Sequence, residues 1–423
     1  MAQSPATALV ALILLAPVAL LASCDLLTPE LPPDDSILDA PIEGLTPTQL
    51  RVHLAGDEEF GRVFTPADGL GPLFNAASCD QCHPGEGKGH PLFALTRFGR
   101  STGEVFDPLR ERGGPQLQNR ALPGWEPEEV PAEATQVARF IAPSVTGLGY
   151  LEAVDDTTLL RLADPDDLDG DGISGRVSWI DAEGVVADVA SLEAFVQGSA
   201  PTRNRIVDGQ IIGRFGRKAS TVNLLHQTVT AYSEDMGLTT DLLVRDLFNP
   251  RTGSFAEDEV ADPEISSSVV SAVTFYLKTL RVPLRRNADD LQVLDGEALF
   301  GQIGCASCHV PTLRTGRSEI GVLDRVEFHP YTDLLLHDMG PELDDGYTEG
   351  SASSSEWRTT PLWGLGLSAR FQGGQEFHLH DGRATTLQEA IEHHGGEGAA
   401  SREAFRNLEP SARAALLAFL RSL

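Results

Sequence analysis

Two C-x-x-C-H motifs stand in the chain, Cys79-Asp-Gln-Cys-His83 and Cys305-Ala-Ser-Cys-His309. This spacing is typical of covalent c-type haem attachment, in which two thiols bond to the haem. The adjoining histidine then reaches the iron as its proximal ligand. The motifs therefore predict two haem c groups, which the rest of the fold has to surround. The candidate haem-binding residues are Cys79, Cys82, His83, Cys305, Cys308 and His309.

Two other chemistries use closely spaced cysteines. Four thiolates could form a tetrahedral zinc site, but this site would join the two motifs across residues 84–304 and leave both histidines without a role. A redox-active dithiol also explains neither histidine. Because the histidine is repeated, the haem interpretation accounts for more of the sequence than either alternative.

The remaining cysteine lies near the amino terminus. The chain has five cysteines, and the motifs use all but Cys24. No pair is left for a structural disulfide or for thiol oxidation. Residues 6–22 are uncharged and mostly apolar, but short for a membrane span. They end in Leu21-Ala-Ser-Cys24, which resembles the lipobox of bacterial lipoprotein signals.

This amino-terminal segment predicts export. We expect residues 1–23 to be a signal peptide and Cys24 to be lipidated, followed by an acidic, proline-rich tether at residues 24–44. The segment before residue 6 lacks Lys and Arg, so an uncleaved anchor or an ordinary secretory signal stays open. In each case the chain reaches the periplasmic side, where bacteria attach haem c. Asp25 after the cysteine resembles an inner-membrane retention signal, so we expect anchoring to that membrane by lipid alone.

The charge balance restricts the partners. The chain has 62 acidic and 32 basic residues and a formal net charge of −30. A phosphate backbone would be repelled, which argues against nucleic acid. The acidity either keeps an exported protein soluble or steers a basic partner, such as a small cationic cytochrome.

Two segments of the chain resemble each other. Residues 271–280 align with residues 414–423, and both are apolar at helical spacing with a basic residue in the last turn. Each ends a stretch that begins with a C-x-x-C-H motif. Gly71-Pro-Leu-Phe74 and Gly296-Glu-Ala-Leu-Phe300 precede the motifs. This is the plan of a cytochrome c domain, in which a closing helix packs across the first helix.

We therefore predict a mainly α fold with two cytochrome c-like domains in tandem. The first spans residues 45–282 and the second residues 283–423, with the boundary near Val282-Pro283. The first domain is longer because of an insertion at about residues 100–215, rich in glycine, proline and acidic side chains. Insertions of this length are often functional.

Part of the insertion begins like a calcium loop. Asp167, Asp169 and Asp171 alternate, and Gly172 follows them. The twelfth position is Ser178 instead of the glutamate of an EF-hand, so an EF-hand is not predicted. A shorter aspartate turn that binds one Ca²⁺ and a solvated acidic turn without an ion stay open.

Further segments carry a family resemblance. They are Gly149-Tyr-Leu-Glu-Ala-Val154, Asp169–Arg176, Gly213–Ala219, Gly304–Leu313, Thr332–Gly340, Trp357–Trp363 and His380–Leu387. They resemble the bacterial dihaem oxidoreductases, often labelled thiol oxidoreductase, within the wider dihaem cytochrome c peroxidase group. The Arg358-Thr-x-Pro-Leu and His380-Asp-Gly elements are shared with the peroxidases and with the dihaem enzyme that matures methylamine dehydrogenase.

The resemblance implies two haems and a dihaem oxidoreductase of peroxidase type. Electrons from a donor would enter at the second haem, and the first haem would react with hydrogen peroxide or another small oxidant. A non-catalytic, membrane-anchored electron-transfer cytochrome is the alternative. A third option is an enzyme that oxidises a protein or small-molecule partner.

The distal iron ligands distinguish these functions, because a closed iron transfers electrons and an open iron can react. Methionine is scarce, and Met236 and Met339 both stand in Asp-Met-Gly. We expect Met339 to bind the second iron and Met236 the first, although either could instead fill the core.

Other residues have weaker signals. Glu86 and Glu264 are candidates for a distal acid–base group, by location only. Arg358 could bind a haem propionate, and Trp357 and Trp363 could relay electrons or simply pack in the core. His90 could be a displaceable sixth ligand of the first iron or a loop histidine, and His380 could belong to a haem pocket. His337, His393 and His394 could contact haem propionates or lie at the surface.

Overall fold

The computed structural model of the protein describes residues 36–102, 105–182, 203, 205–256 and 258–423. The predicted signal peptide, Cys24 and most of the tether lie outside these residues. Residues Leu38–Leu423 form one compact unit. Within the described part of the chain, we find no helix that is long and apolar enough to cross a membrane.

The α-helices are distributed along the whole described chain. They are α1 (Pro47–Phe60), α2 (Cys79–Cys82), α3 (Leu148–Glu152), α4 (Asp156–Leu162), α5 (Leu224–Met236), α6 (Ser267–Thr279), α7 (Leu291–Gln302), α8 (Ser368–Phe371), α9 (Leu387–Glu392), α10 (Ala399–Arg406) and α11 (Pro410–Ser422). Single turns of 3₁₀-helix include Pro84–Glu86 after the first motif and Cys305–Ser307 within the second.

Short antiparallel strands fill the segments between the helices. They are β1 (Leu73–Phe74), β2 (Leu95–Thr102), β3 (Val105–Asp107), β4 (Arg120–Ala121), β5 (Gln136–Phe140), β6 (Ser178–Asp181), β7 (Gln210–Gly213), β8 (Phe248–Asn249), β9 (Ser254–Phe255), β10 (Leu313–Arg314), β11 (Glu327–Phe328), β12 (Leu336–Asp338) and β13 (Glu356–Arg358). The sheet β3-β2-β5 has three strands, and β1-β4, β6-β7, β8-β9, β10-β11 and β12-β13 are pairs.

The fold is therefore mixed, and a mainly α fold is not confirmed. The strands arise where long connections run between helices, because their backbone groups need hydrogen-bond partners when buried. In the longest ladder, Phe98 of β2 pairs with Val137 of β5. In β12-β13, His337 pairs with Trp357.

Helices α1 and α6 form a close pair before and after the first motif. A capping box at Thr46 and Gln49 begins α1. The helix buries His53, Gly56 and Phe60, which lie three to four residues apart on the face toward α6. A Cβ atom on Gly56 would lie 2.2 Å from the carbonyl oxygen of Ala272, so only glycine permits this approach.

Helices α7 and α11 form an equivalent pair around the second motif. A Cβ atom on Gly296 would lie 2.0 Å from the carbonyl oxygen of Ala415. The sequence alignment places Ala272 opposite Ala415, and the two residues do occupy equivalent positions. The counterpart of Gly296 and Phe300 is Gly56 and Phe60 of α1. It is not the Gly71–Phe74 segment suggested by the sequence, which contributes β1 instead.

The buried side chains link the two parts of the chain. A large cluster surrounds α1, α5 and α6, and a second surrounds α7 and α11. Trp363 belongs to the first cluster, although it follows the second motif. A third cluster joins Ala138 and Phe140 of β5 to Leu343, Tyr347 and Trp357. The predicted domain division near Val282-Pro283 stays a prediction.

The close helix approach gives a testable prediction. We expect Gly296→Ala to lower the free energy of unfolding of the haem-loaded protein by about 1–3 kcal/mol, because the new methyl group overpacks the contact with α11. Gly301→Ala in the same helix is the control, since a Cβ atom there meets no atom within 4 Å. Urea denaturation measures both, and equal effects would contradict the packing argument.

Candidate haem sites

The first motif forms one helical turn with a fixed histidine. The hydroxyl of Ser78 accepts from the backbone N–H of Gln81 and caps α2. His83 follows, and its Nδ1 lies 2.8 Å from the carbonyl oxygen of Pro143. Because a carbonyl oxygen only accepts, Nδ1 carries the hydrogen and Nε2 keeps its lone pair for a metal.

The second motif repeats this geometry. Nδ1 of His309 donates to the carbonyl oxygen of Tyr331 at 2.9 Å. The ring of His309 lies 6.2 Å from that of Phe300, and the ring of His83 lies 6.1 Å from that of Phe60. Burial lowers the pKa of both histidines to about 4. Both imidazoles are therefore neutral at pH 7, as iron binding requires.

Before haem is attached, the four motif thiols are protonated, and the two pairs belong to separate sites. Burial raises the pKa of Cys79, Cys82 and Cys305 to about 12, and it also raises that of Cys308. In the described part of the chain, one group of side chains has its possible ligand atoms close enough together to hold a metal ion. That group consists of aspartates and includes no cysteine. The motif residues therefore do not form the all-cysteine zinc site considered from sequence.

A cavity lies beside the second motif. It has about 1510 Å³ of empty space, its open mouth included, and Cys305, Cys308 and His309 are in its wall. Much of the remaining lining is apolar, with Leu343 and Leu416 among the side chains. Two thiols and a neutral histidine beside a large, mainly apolar space fit a covalently attached haem.

A second histidine faces His309 across this cavity. The ring centres of His394 and His309 are 6.5 Å apart. Two imidazoles on one metal have ring centres about 6 Å apart, since each metal–nitrogen bond is about 2 Å. Nδ1 of His394 donates to the carbonyl oxygen of Ala390 at 2.8 Å, which leaves Nε2 free for a ligand.

Met339 borders the same cavity. Its Cε lies 3.3 Å from where a Cβ atom of Gly398 would stand, and its side chain packs against the cluster that contains Trp357. From sequence, Met339 is the expected distal ligand, and His394 is left as a propionate-contacting or surface residue. The position of His394 just after α9 has meaning only once α9 is placed opposite the motif.

Comparisons with known proteins identify the family of the chain. The family model described as "Di-haem oxidoreductase, putative peroxidase" matches residues 133–423. The chain belongs to this family. The resemblance drawn from the sequence is therefore confirmed, and as a di-haem oxidoreductase the protein carries two haems.

Two solved structures are similar to this di-haem oxidoreductase over most of its length. One is the hydrazine synthase of Kuenenia stuttgartiensis, at 14% identity and a TM-score of 0.38, covering 94% of this chain and 95% of that chain. The other is a MauG-like protein associated with microbial copper homeostasis, also at 14% identity and 0.38, covering 94% of each chain. No curated protein matches the chain.

An imidazolium supports the second motif of the oxidoreductase. The ring nitrogens of His337 bind the carboxylates of Glu397 and Asp333 at 2.6 and 2.8 Å, and Sγ of Cys308 lies 3.6 Å from Nδ1. Burial opposes the charge, but these hydrogen bonds raise the pKa of His337 to about 12. A charged His337 therefore fixes the segment next to Cys308.

Trp357 and His380 stack in the wall of the same cavity. Their ring centres are 3.7 Å apart and the rings are nearly parallel. Nζ of Lys218 lies 3.7 Å from the Trp357 ring and donates to three backbone carbonyls. Trp363 instead packs in the first core cluster, next to Gly147.

The two glutamates named from sequence have different surroundings. Glu86 is buried three residues after His83 and accepts from the hydroxyl of Tyr276 at 2.6 Å. Burial raises the pKa of Glu86 to about 7. Glu264 accepts from the backbone N–H and the hydroxyl of Thr239, in a loop beside Gly69.

The aspartate loop brings together a set that differs by one residue from the predicted set. Ligand atoms of Asp164, Asp167 and Asp169 lie within 4.8 Å of one another. Asp171 lies outside this group, and its carboxylate accepts from the backbone N–H of Ile173. The loop also touches the second site, since the hydroxyl of Ser174 donates to Glu397 at 2.8 Å.

Met236 lies in the large core cluster against which Cys79 packs. Its carbonyl oxygen accepts from the backbone N–H of Gly71, and the carbonyl oxygen of Asp235 accepts from Asn75 and Ala76. Backbone hydrogen bonds thus hold the Asp235-Met-Gly segment against residues 71–76, which lead into the first motif. Its role as a distal ligand stays a prediction.

Haem content tests the two motifs. We expect a haem-to-protein ratio of two by the pyridine haemochrome assay, with haem that stays attached after denaturation. Replacing both Cys79 and Cys82 by alanine should reduce the ratio to one, because that motif loses its thiols. Ser307→Ala lies inside the second motif but forms no bond to haem, so this control should keep both haems.

Proposed function

We propose that the protein is a peroxidase-like oxidoreductase with two covalent haem c groups, one in each cytochrome c-like domain. Electrons from a donor protein enter at the second haem, held by Cys305, Cys308 and His309. They pass to the first haem, held by Cys79, Cys82 and His83, where hydrogen peroxide or another small oxidant is reduced.

The difference between the two histidines carries this proposal. His309 faces a second imidazole at a separation suited to two axial ligands. In the described part of the chain, the aromatic ring that lies next to His83 is that of Phe60, which cannot bind iron. This difference supports a closed second iron and a first iron whose distal position opens to a small oxidant, with Met236 able to close it at rest.

The protein's own residues supply the protons and the orientation of the ligands. When bound, haem iron supplies the electron-transfer chemistry for peroxide reduction, which consumes two electrons and two protons for each two waters formed. Glu86 is suited to hold a proton at its carboxyl near pH 7, where proton exchange is most effective. Glu264 is the weaker candidate, since its carboxylate accepts two hydrogen bonds from Thr239, whereas that of Glu86 accepts one from Tyr276.

The net charge, the amino-terminal segment and the aspartate loop support proposals for the electron donor, the membrane anchor and a bound ion. The net charge of −30 supports a basic cytochrome as donor, because opposite charges speed association. We propose a lipid anchor at Cys24 on the periplasmic side of the inner membrane. We also propose that Asp164, Asp167 and Asp169 bind one Ca²⁺, which would steady the loop that contacts Glu397.

Low-temperature EPR tests the function. We expect the haem-loaded protein, fully oxidised or half-reduced, to give a high-spin ferric signal that hydrogen peroxide consumes, because one iron opens. If every ferric iron stays low-spin in both states and ignores peroxide, the protein is a membrane-anchored electron-transfer cytochrome. If the iron opens but peroxide is not turned over, an oxidation of a partner replaces peroxide reduction.

Two variants identify the distal ligand of the second iron in the same spectra. We expect His394→Ala to convert the second haem to a high-spin form, because the facing imidazole is lost. Met339→Leu should leave it low-spin and is the matched control. The reverse pattern would assign the ligand role to Met339, as the sequence first suggested.

A further pair of variants tests the proton donor. We expect Glu86→Gln to lower peroxide turnover by about 100-fold, because an amide keeps the hydrogen bond from Tyr276 but exchanges no proton. The activity of the unaltered protein should also fall as pH rises past 7, where Glu86 loses its proton, and Glu86→Gln should remove this decline. Glu264→Gln is the control, and an equal loss there would exclude Glu86 as the specific donor.

A further inference from the structure

Three cationic side chains from separate segments meet at the cavity beside the second motif. Lys88 comes from the loop after the first motif, Arg217 from the turn after β7, and Arg358 from the end of β13. Both arginines are only 7% exposed. The backbone N–H of Arg358 donates to the carbonyl oxygen of Arg217 at 3.0 Å, which fixes the two residues side by side.

These cations form no ion pair with a carboxylate in the described part of the chain. The guanidinium of Arg217 donates to the carbonyl oxygen of Ile141 at 2.8 and 3.2 Å. That of Arg358 donates to the carbonyl oxygens of Gly216 and Thr359.

Two carboxylates lie close enough to act electrostatically on these cations, but each is already paired with another basic side chain. Asp381 acts on Lys88 and Arg217, but it is held by Arg383 at 2.7 Å. Asp333 acts on Arg358 and is held by His337.

Unpaired buried cations are costly. Burial lowers the pKa of Lys88 well below its usual value, and it lowers that of Arg217 to about 9. The chain has 62 acidic residues, yet no described one of them forms an ion pair with these cations. The cavity therefore has a place for an anion that the chain itself does not provide.

We propose that Lys88, Arg217 and Arg358 together bind the propionate groups of the haem held by the second motif. This inference rests on the proposed haem at Cys305 and Cys308, and it extends the sequence expectation for Arg358 to two residues of the first half. A guanidinium matches a carboxylate in shape and forms charge-assisted hydrogen bonds with it. The ammonium group of Lys88 adds a point charge.

The assignment links the second haem to the first motif. Lys88 is five positions after His83, and Arg217 binds Ile141, two positions before the carbonyl that holds His83. The charge of Arg217 also acts on His83. Lys88 and Arg217, both from the first half of the chain, therefore neutralise propionates of the second haem. Their positive charge favours the ferrous state, because ferrous iron carries one less positive charge than ferric iron.

Redox titration of the haem-loaded protein, followed by absorbance and EPR, tests the proposal. We expect Arg217→Gln and Lys88→Met each to raise the ferric-to-ferrous ratio of the second haem about tenfold at a fixed potential, the size of a unit charge lost about 10 Å away. That ratio corresponds to about 59 mV for a one-electron couple. Resonance Raman bands of the propionate bending modes should shift in the same variants.

Two controls separate charge from structure. Arg217→Lys keeps the charge and should leave the ferric-to-ferrous ratio within about twofold of the unaltered protein. Arg325→Gln removes an exposed cation and should change neither readout. The haemochrome ratio confirms that both haems are present, so a lost haem is not mistaken for a shifted potential.

Several outcomes would overturn the proposal. They are an unchanged second-haem potential and Raman spectrum in both neutral variants, a shift confined to the first haem, or an equal shift in Arg217→Lys. A response of the unaltered protein to added formate that Arg217→Gln abolishes would assign the cations to an exchangeable anion instead. Failure of the peroxidase function would leave these readouts intact, because they do not depend on turnover.

Discussion

The hydrogen bond from each motif histidine to a backbone carbonyl sets the geometry on which both sites depend. A C-x-x-C-H segment alone leaves the imidazole free to rotate and to change tautomer. Binding Nδ1 to Pro143 or Tyr331 fixes the ring and directs Nε2 away from the peptide. The helix pairs, with Gly56 and Gly296 at their closest points, place Phe60 and Phe300 against the same rings.

The two sites share this histidine hydrogen bond and helix pair, but they differ in the other side chains around the motif. At the second motif, an imidazolium lies next to Cys308, a second imidazole faces His309, and unpaired cations line the cavity. At the first motif, a buried glutamate with a near-neutral pKa follows the histidine. Two copies of one structural plan therefore have different chemical surroundings.

Much of this could be predicted from local sequence patterns. The C-x-x-C-H spacing identified both motifs, and the apolar period of residues 271–280 and 414–423 identified the helices that pack across α1 and α7. The places of His394, Lys88 and Arg217 in the wall of the second cavity could not be predicted, because each is brought there by neighbours remote in sequence. The short strands escaped for a related reason, since a two-residue ladder is stabilised by its partner strand and leaves no periodicity of its own.

The position of Trp363 has a consequence for how such a protein can be assembled. This side chain follows the second motif along the chain, yet it completes the core formed around the first. The cluster of Phe140, Tyr347 and Trp357 shares the interior in the same way. A chain cut before Trp363 would therefore lack part of the core around the first motif, so that core needs side chains from both halves of the chain.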